Sequence, residues 1–163
     1  MPEEPRHCIV SILPCTNIDA STQFYARLGL ALHGDYGSYR ILSDRRGWLL
    51  HLSSEFPQGW LVPGQNPNGL YLYREDVDGF AASIDDLLDG RRPEHKTWGM
   101  YEVALSDPDG TLVRIGWPSR LKRGICVHCQ HPIGYHHLEG GKCSCKDCPC
   151  PGYEGYPTTE ISN

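Results

Sequence analysis

Residues 98–110 read Trp-Gly-Met-Tyr-Glu-Val-Ala-Leu-Ser-Asp-Pro-Asp-Gly, and residues 112–116 read Leu-Val-Arg-Ile-Gly. Two apolar stretches thus flank Asp-Pro-Asp-Gly, whose proline, aspartates and glycine suit the dihedral angles of a tight turn. The stretch therefore predicts a β-hairpin with strands at Met100–Ser106 and Thr111–Gly116.

The same pattern occurs earlier in the chain. Leu42–Leu52 reads Leu-Ser-Asp-Arg-Arg-Gly-Trp-Leu-Leu-His-Leu and matches Leu105–Ile115, with Leu, Ser, Asp and Gly at the same places. Upstream, Asn17–Asp19 resembles Asp76–Asp78, and each triplet follows an apolar run and precedes a helical pattern. Two copies of one structural unit are the simplest interpretation.

Each copy predicts the order βαβββ. In the first copy, Asn17 or Asp19 is suited to cap the helix, and Gly29 is suited to end it. In the second copy the strand near 92–96 is the weak element. The predicted segments are strands at Cys8–Leu13, 31–35, 38–43 and 47–53 in the first copy, and a strand at Leu70–Tyr73 and a helix at Val77–Leu88 before the hairpin in the second.

Composition limits the class of protein. The chain has 163 residues, a net charge of −5, 39% hydrophobic residues and 8 cysteines. This length suits one domain plus a small module, and the apolar fraction suffices for a core. The mild acidity argues against a nucleic-acid partner. We expect a cytoplasmic protein with no membrane contact, since the N-terminus begins acidic and no apolar run approaches about 20 residues.

A wider pattern covers the segments Ile12–Asp19, Phe24-Tyr25, Leu28-Gly29, Tyr71–Asp78 and 98–116. Together they resemble the vicinal-oxygen-chelate superfamily of glyoxalases, extradiol dioxygenases and bleomycin-resistance proteins. The resemblance covers roughly residues 6–118, and the Trp-Gly to Asp-Pro-Asp-Gly stretch is most similar to the bleomycin-resistance branch. It implies an α+β fold in which two βαβββ modules (about 6–62 and 68–118, within a domain of 1–120) form a cupped mixed sheet, usually in a homodimer.

The resemblance also implies four positions where metal-dependent members carry their ligands. In this sequence these positions hold Val10, His51, Gly69 and Arg114. Valine and glycine offer no side-chain donor, and arginine stays protonated and repels a cation. We therefore expect a cup that sequesters an antibiotic-like ligand without chemistry. The alternatives are a metal-dependent glyoxalase-like lyase, isomerase or dioxygenase, and a regulatory protein that binds a partner through its tail.

Aromatic and charged side chains are the candidates for the lining of the cup, because they suit flat or cationic organic ligands. Several of these residues also suit a purely structural role. His51 is equally suited to be a hydrogen-bonded core residue. Arg114 is suited to form a structural ion pair with Glu102, and the tryptophans are suited to hold loops at a dimer interface. The predicted ligand-binding residues are His51, Trp60, Tyr71, Tyr73, Trp98, Glu102 and Arg114.

The tail from residue 121 to 163 is rich in Cys and His and predicts a zinc site. Each Cys-x-x-Cys turn places two thiolates where they can bind the same tetrahedral ion. A structural ion is favoured, because the tail is too short to bury a core of its own. One ion is preferred over two, with a disordered or disulfide-linked tail as the alternative. The leading ligands are Cys126, Cys129, Cys145 and Cys148, with Cys143 and Cys150 as spare cysteines and His131, His136 and His137 as further candidates.

Overall fold

The computed structural model describes residues 8–62, 64–121, 126, 128, 129, 131, 142, 143, 148–152 and 154. The fold is α+β, with two four-stranded mixed sheets and a few short helices. In the first copy the elements are β1 (Ser11–Pro14), α1 (Ile18–Arg27), β2 (Ala31–Asp35), β3 (Tyr39–Ser43) and β4 (Leu49–Ser53). In the second copy they are β5 (Gly69–Tyr73), α2 (Val77–Ser83), a 3₁₀ turn (Asp85–Leu87), β6 (Glu94–His95), β7 (Met100–Ser106), β8 (Leu112–Pro118) and a further 3₁₀ turn (Ser119–Leu121).

The first sheet has the strand order β1-β4-β3-β2. Strand β1 runs parallel to β4 and places Ile12 beside His51, whereas β3 runs antiparallel to β4. Side chains alternate along β4 as strand geometry requires. Leu50 and Leu52 are buried, whereas His51 on the opposite face is only partly covered.

Helix α1 begins and ends at the residues that the sequence indicates. The Asn17 side chain accepts hydrogen bonds from the backbone N–H groups of Asp19 (3.1 Å) and Ala20 (3.0 Å). The chain leaves the helix through Gly29, whose φ of +92° disfavours any residue with a Cβ atom. Tyr25 is fully buried and its hydroxyl donates to Asp107 Oδ2 over 2.8 Å. The helix is thereby attached to the turn of the second hairpin.

The second sheet has the order β5-β8-β7-β6 and contains the predicted hairpin. The backbone N–H of Asp107 donates to Thr111 O (3.0 Å), and Asp107 Oδ1 accepts from the N–H of Thr111 (2.7 Å). Strand β7 has the predicted bounds, and β8 continues two residues beyond its predicted end. The strand predicted near 92–96 is short, with two residues, as its weak signal suggests.

Two predicted segments are wrong in extent. The predicted helix Val77–Leu88 is divided, because Ile84 takes a φ of −123° and a ψ of +24°, after which the chain continues as a 3₁₀ turn. Strand β1 begins at Ser11 instead of at Cys8, which is exposed. Cys15, in contrast, is buried.

The chain forms two compact units. One contains Met1–Leu70 with Leu105–Val113, and the other contains Tyr71–Ala104 with Arg114–Asn163. A separate domain boundary at residue 120 stays a prediction. Among the described residues, no helix has the length and apolar character needed to span a membrane.

Candidate functional site

A buried carboxylate lies at the centre of the first candidate site. Glu102, on β7, has no exposed surface, although its charge needs compensation. Its Oε2 accepts hydrogen bonds from Tyr71 Oη (2.6 Å) and Trp98 Nε1 (3.4 Å), and its Oε1 forms an ion pair with Arg114. Because three donors converge on it, the carboxylate is well satisfied inside the protein.

Gly116 makes this arrangement possible. It lies two residues beyond Arg114 on β8, so the same face of the strand carries both. A Cβ atom at position 116 would lie 2.4 Å from Tyr71 Oη and 2.7 Å from Glu102 Cβ. The absence of a side chain therefore leaves the space in which the tyrosine hydroxyl reaches the carboxylate.

Exposed aromatic rings surround the ion pair. The Trp98 and Tyr73 side chains are 59% and 57% exposed, which is high for such large apolar groups. The Arg114 guanidinium carbon lies 5.4 Å from the centre of the Trp98 ring, within cation–π distance. The Tyr71 and Tyr73 rings lie 4.8 Å apart. Tyr71, Tyr73, Trp98, Glu102 and Arg114 are called the aromatic–carboxylate cluster below.

Burial, followed by the hydrogen bond to Glu102, raises the pKa of Tyr71. The phenol therefore stays protonated at neutral pH and acts as a hydrogen-bond donor. The cluster has the chemistry of a binding surface, with flat rings at the surface and a neutralised ion pair beneath them.

The other two predicted ligand-binding residues lie in the other compact unit. The Tyr39 hydroxyl lies 2.7 Å from His51 Nδ1, and burial lowers the pKa of His51. A neutral imidazole accepts a hydrogen bond from the phenol at this distance. Trp60 lies in a loop with 70% of its surface exposed. The structure thus brings five of the seven predicted residues together in one unit, whereas His51 and Trp60 belong to the other unit.

Sequence reasoning missed Tyr39 and Gly116. Tyr39 opposes Ser53 in the β3–β4 pairing, so a strand-register argument would have placed it two residues from the partner of His51. The partner of His51 on β3 is Ile41, and its neighbour on β1 is Ile12, neither of which offers a metal donor. Gly116 carries no signal of its own, since its role depends on a side chain from β5.

Cysteine and histidine side chains form the second candidate site, which is called the thiol cluster. One group contains Cys129, His131, Cys143 and Cys148, and another contains Cys126, Cys129 and Cys150. Within each group the candidate ligand atoms all lie within 4.8 Å of one another. Cys143 and Cys150, which spacing alone left as spare residues, thus take part. Cys145, His136 and His137 lie outside the described residues.

The local environment of Cys126 favours a thiolate. Burial opposes the charge and raises the pKa of Cys129 and Cys150, but backbone N–H groups of Glu154, Cys129 and His128 donate to the Cys126 sulfur and lower its pKa to about 6. Thiolate sulfur and neutral imidazole are the donors that zinc prefers in structural sites. The described part of the thiol cluster can therefore hold a metal ion.

Solved structures with the same fold include proteins that bind antibiotics. A bleomycin-binding protein complexed with bleomycin is 25% identical, with a TM-score of 0.58, and the match covers 69% of this chain and 98% of that one. A bleomycin resistance determinant encoded on transposon Tn5 is 26% identical over the same shares, with a TM-score of 0.58. TnmS3, an antibiotic binding protein from Streptomyces sp. CB03234, is 25% identical, with a TM-score of 0.56 and coverages of 71% and 98%.

A scan against protein families finds no match, and a search of the curated proteins finds none either. The structural matches show that the chain has the vicinal-oxygen-chelate fold. The thiol cluster follows this fold in the C-terminal part of the chain.

Proposed function

We propose that this protein binds an aromatic or cationic, antibiotic-like small molecule and sequesters it as a homodimer in the cytoplasm, without changing it chemically. The observation that carries the proposal is the aromatic–carboxylate cluster. Trp98 and Tyr73 expose more than half of their surface beside a fully buried Glu102. Flat rings at the surface favour the stacking of a planar or cationic ligand.

The buried groups of the aromatic–carboxylate cluster are suited to hold its aromatic rings in place. They are not suited to react with a ligand. Glu102 pairs with Arg114, accepts from Tyr71 and is fully buried, so its oxygens do not face solvent. A general base must come within hydrogen-bond distance of a substrate proton, and a carboxylate without exposed surface is poorly placed to do so. We therefore assign Glu102 and Arg114 a positioning role beneath the ligand surface.

The donor set at the family's metal positions supports binding over catalysis. Val10 and Gly69 offer no donor, and Arg114 carries a positive charge that is already engaged by Glu102. His51 alone holds no catalytic metal, since such sites have three protein ligands. The similar solved structures described as bleomycin-binding and antibiotic binding proteins agree with this proposal.

A binding titration tests the proposal. The full chain is titrated with bleomycin and, separately, with the planar cation ethidium, and tryptophan fluorescence and heat are recorded. We expect saturable binding that Trp98→Ala weakens about tenfold, which corresponds to about 1.4 kcal/mol. Tyr36→Ala is the control, because Tyr36 is 70% exposed and lies outside the cluster. Trp60→Ala tests whether the loop tryptophan also contributes.

Two results would contradict the proposal. Failure of both compounds to bind would remove the sequestration function. Recovery of a chemically altered compound after incubation, with loss of turnover in His51→Ala, would favour the enzyme instead. Sedimentation of the full chain tests the homodimer, and a monomer at binding concentrations would exclude it.

We also propose that Cys129, His131, Cys143 and Cys148 hold a structural zinc ion. Four protein donors close a tetrahedral site and leave no position for water. The clustering of these thiols also suits a reducing compartment, where cysteines bind metal more often than they form disulfides. Metal analysis of the purified full chain is the test, and we expect zinc, whereas a protein without bound metal would contradict the proposal.

A further inference from the structure

The thiol cluster offers more donors than one zinc ion can bind. Cys129, His131, Cys143 and Cys148 form a complete set of four. Cys126 and Cys150 lie outside this set but form a second group with Cys129. Cys129 is the member common to both groups.

The separations between donors fit tetrahedral coordination. Zinc–ligand bonds of about 2.0–2.3 Å place two donors about 3.3–3.8 Å apart. Cys148 Sγ lies 3.8 Å from His131 Nδ1, and Cys143 Sγ lies 3.1 Å from the same nitrogen. In the second group Cys126 Sγ lies 3.6 Å from Cys150 Sγ. Both groups therefore have nearly the spacing that an ion requires.

The second group is not explained as a disulfide or as ordinary apolar packing. The sulfur–sulfur distance of 3.6 Å is far beyond the bond length of about 2.05 Å. Cys126 and Cys150 are 0% and 7% exposed, and their neighbours in this buried cluster of the described tail are other cysteines.

Charge balance also favours a second ion. Cys126, Cys129, Cys143, Cys148 and Cys150 would carry five negative charges as thiolates, and one divalent ion compensates two of them. A second divalent ion leaves a single excess negative charge, so both ions together permit the sulfurs to be buried as thiolates.

We infer that the thiol cluster holds two zinc ions that share the Cys129 sulfur as a bridging ligand. One ion takes Cys129, His131, Cys143 and Cys148, and the other takes Cys126, Cys129 and Cys150 with a fourth donor beyond these three. The inference rests on the proposed zinc site and adds a second ion and a shared ligand to it.

The experiment uses the full chain without substitution. Native mass spectrometry and metal analysis count the ions, and we expect two zinc ions per chain. After exchange with ¹¹³Cd, nuclear magnetic resonance should show two cadmium signals, each split by the other through the shared sulfur. The two failures are distinguishable, because one ion per chain overturns this inference alone, whereas no ion overturns the zinc proposal as well.

Variants assign the ligands. Cys143→Ser and Cys126→Ser should each reduce the count from two ions to one, and Cys129→Ser should weaken the binding of both. Cys8→Ser is the matched control and should retain two ions, since Cys8 is exposed and outside the cluster. Two cadmium signals without mutual splitting would exclude the bridge, and a single ion beside a Cys126–Cys150 disulfide would exclude the second site. The cadmium spectrum of the unchanged chain remains decisive if a variant fails to fold.

Discussion

At the scale of single residues, Glu102 shows how this fold accommodates a buried charge. An isolated carboxylate in a protein interior is strongly unfavourable, so it must be paired and hydrogen-bonded. Tyr71, Trp98 and Arg114 meet that requirement from β5, from a loop and from β8. The same contacts hold the tryptophan and tyrosine rings in place. The residues that compensate the charge of Glu102 are therefore also residues of the proposed ligand surface.

The space left by Gly116 can be tested by Gly116→Ala. We expect a loss of about 1–3 kcal/mol in the free energy of unfolding, because the new methyl group would overlap Tyr71 Oη and Glu102 Cβ. Urea denaturation measures this loss. In a Tyr71→Phe background, Gly116→Ala should cost less than in the unchanged protein, because the hydroxyl is then absent from the crowded space. Unchanged stability in Gly116→Ala would show that the face is not closely packed.

The burial of His51 leads us to expect that the free energy of unfolding depends on pH. Burial lowers the pKa of His51 in the folded protein below the ordinary 6.5. Between the folded pKa and 6.5 the unfolded chain binds more protons, so the contribution of His51 is complete above pH 6.5 and is lost as the pH falls through the folded pKa. His51→Gln should flatten this part of the unfolding profile.

The control for His51 is His33→Gln, which changes an exposed histidine on β2 and should keep the profile of the unchanged protein. Nuclear magnetic resonance titration of the His51 ring provides an independent measurement. A value at or above 6.5 would contradict the burial argument.

At the scale of elements, the turn between β7 and β8 holds the start of α1. Asp109 accepts from the backbone N–H of Thr16 (3.1 Å), from Thr16 Oγ1 (2.5 Å) and from Ser21 Oγ (3.3 Å). Asp107 accepts from the buried Tyr25 hydroxyl. The Asp-Pro-Asp-Gly sequence therefore does more than reverse the chain, since its two carboxylates fix a helix from the other copy of the repeat.

Asp109→Ala tests this attachment. The substitution removes hydrogen bonds to a charged acceptor, and we expect about 1–3 kcal/mol of destabilisation in urea unfolding. Arg46→Ala is the matched control, because Arg46 occupies the equivalent place in the first hairpin turn and its side chain is exposed. Its effect should stay within about 0.5 kcal/mol. Equal effects of the two substitutions would mean that Asp109 acts only through the turn.

At the scale of the whole molecule, two different kinds of interior stabilise the chain. The strands and helices bury aliphatic and aromatic side chains such as Leu42, Leu52 and Ile115. The described part of the tail buries Cys126, Cys143 and Cys150. Apolar burial drives the folding of the first kind, whereas the proposed metal coordination would supply most of the folding free energy of the second.

Metal removal should therefore separate the two parts. Treating the full chain with a zinc chelator is expected to make the tail sensitive to limited proteolysis while the strands of the two sheets stay protected. Readdition of zinc should restore the protection, and readdition of magnesium should not, since magnesium prefers oxygen ligands. Cleavage that is the same with and without chelator would show that metal does not hold the tail.

Local structure was well predicted where the signal is local. The limits of β2 and β7 match, because alternating side chains and turn residues act within a few positions. The helix predicted to reach Leu88 stops at Ser83, since periodicity does not register the change of backbone at Ile84. The strand predicted from Cys8 begins at Ser11, where its pairing with β4 starts, and local sequence does not set the extent of that pairing.

By itself the sequence determined the repeat, the βαβββ order, the turn at 107–110 and the clustering of cysteines in the tail, because each follows from neighbouring residues and their spacing. Only the tertiary structure decided which side chains meet. It joined Tyr71 with Glu102, and it brought Cys143 and Cys150 into the thiol cluster. These contacts connect residues far apart in the chain, and the packing of strands and the course of loops set their distances, which no short-range pattern encodes.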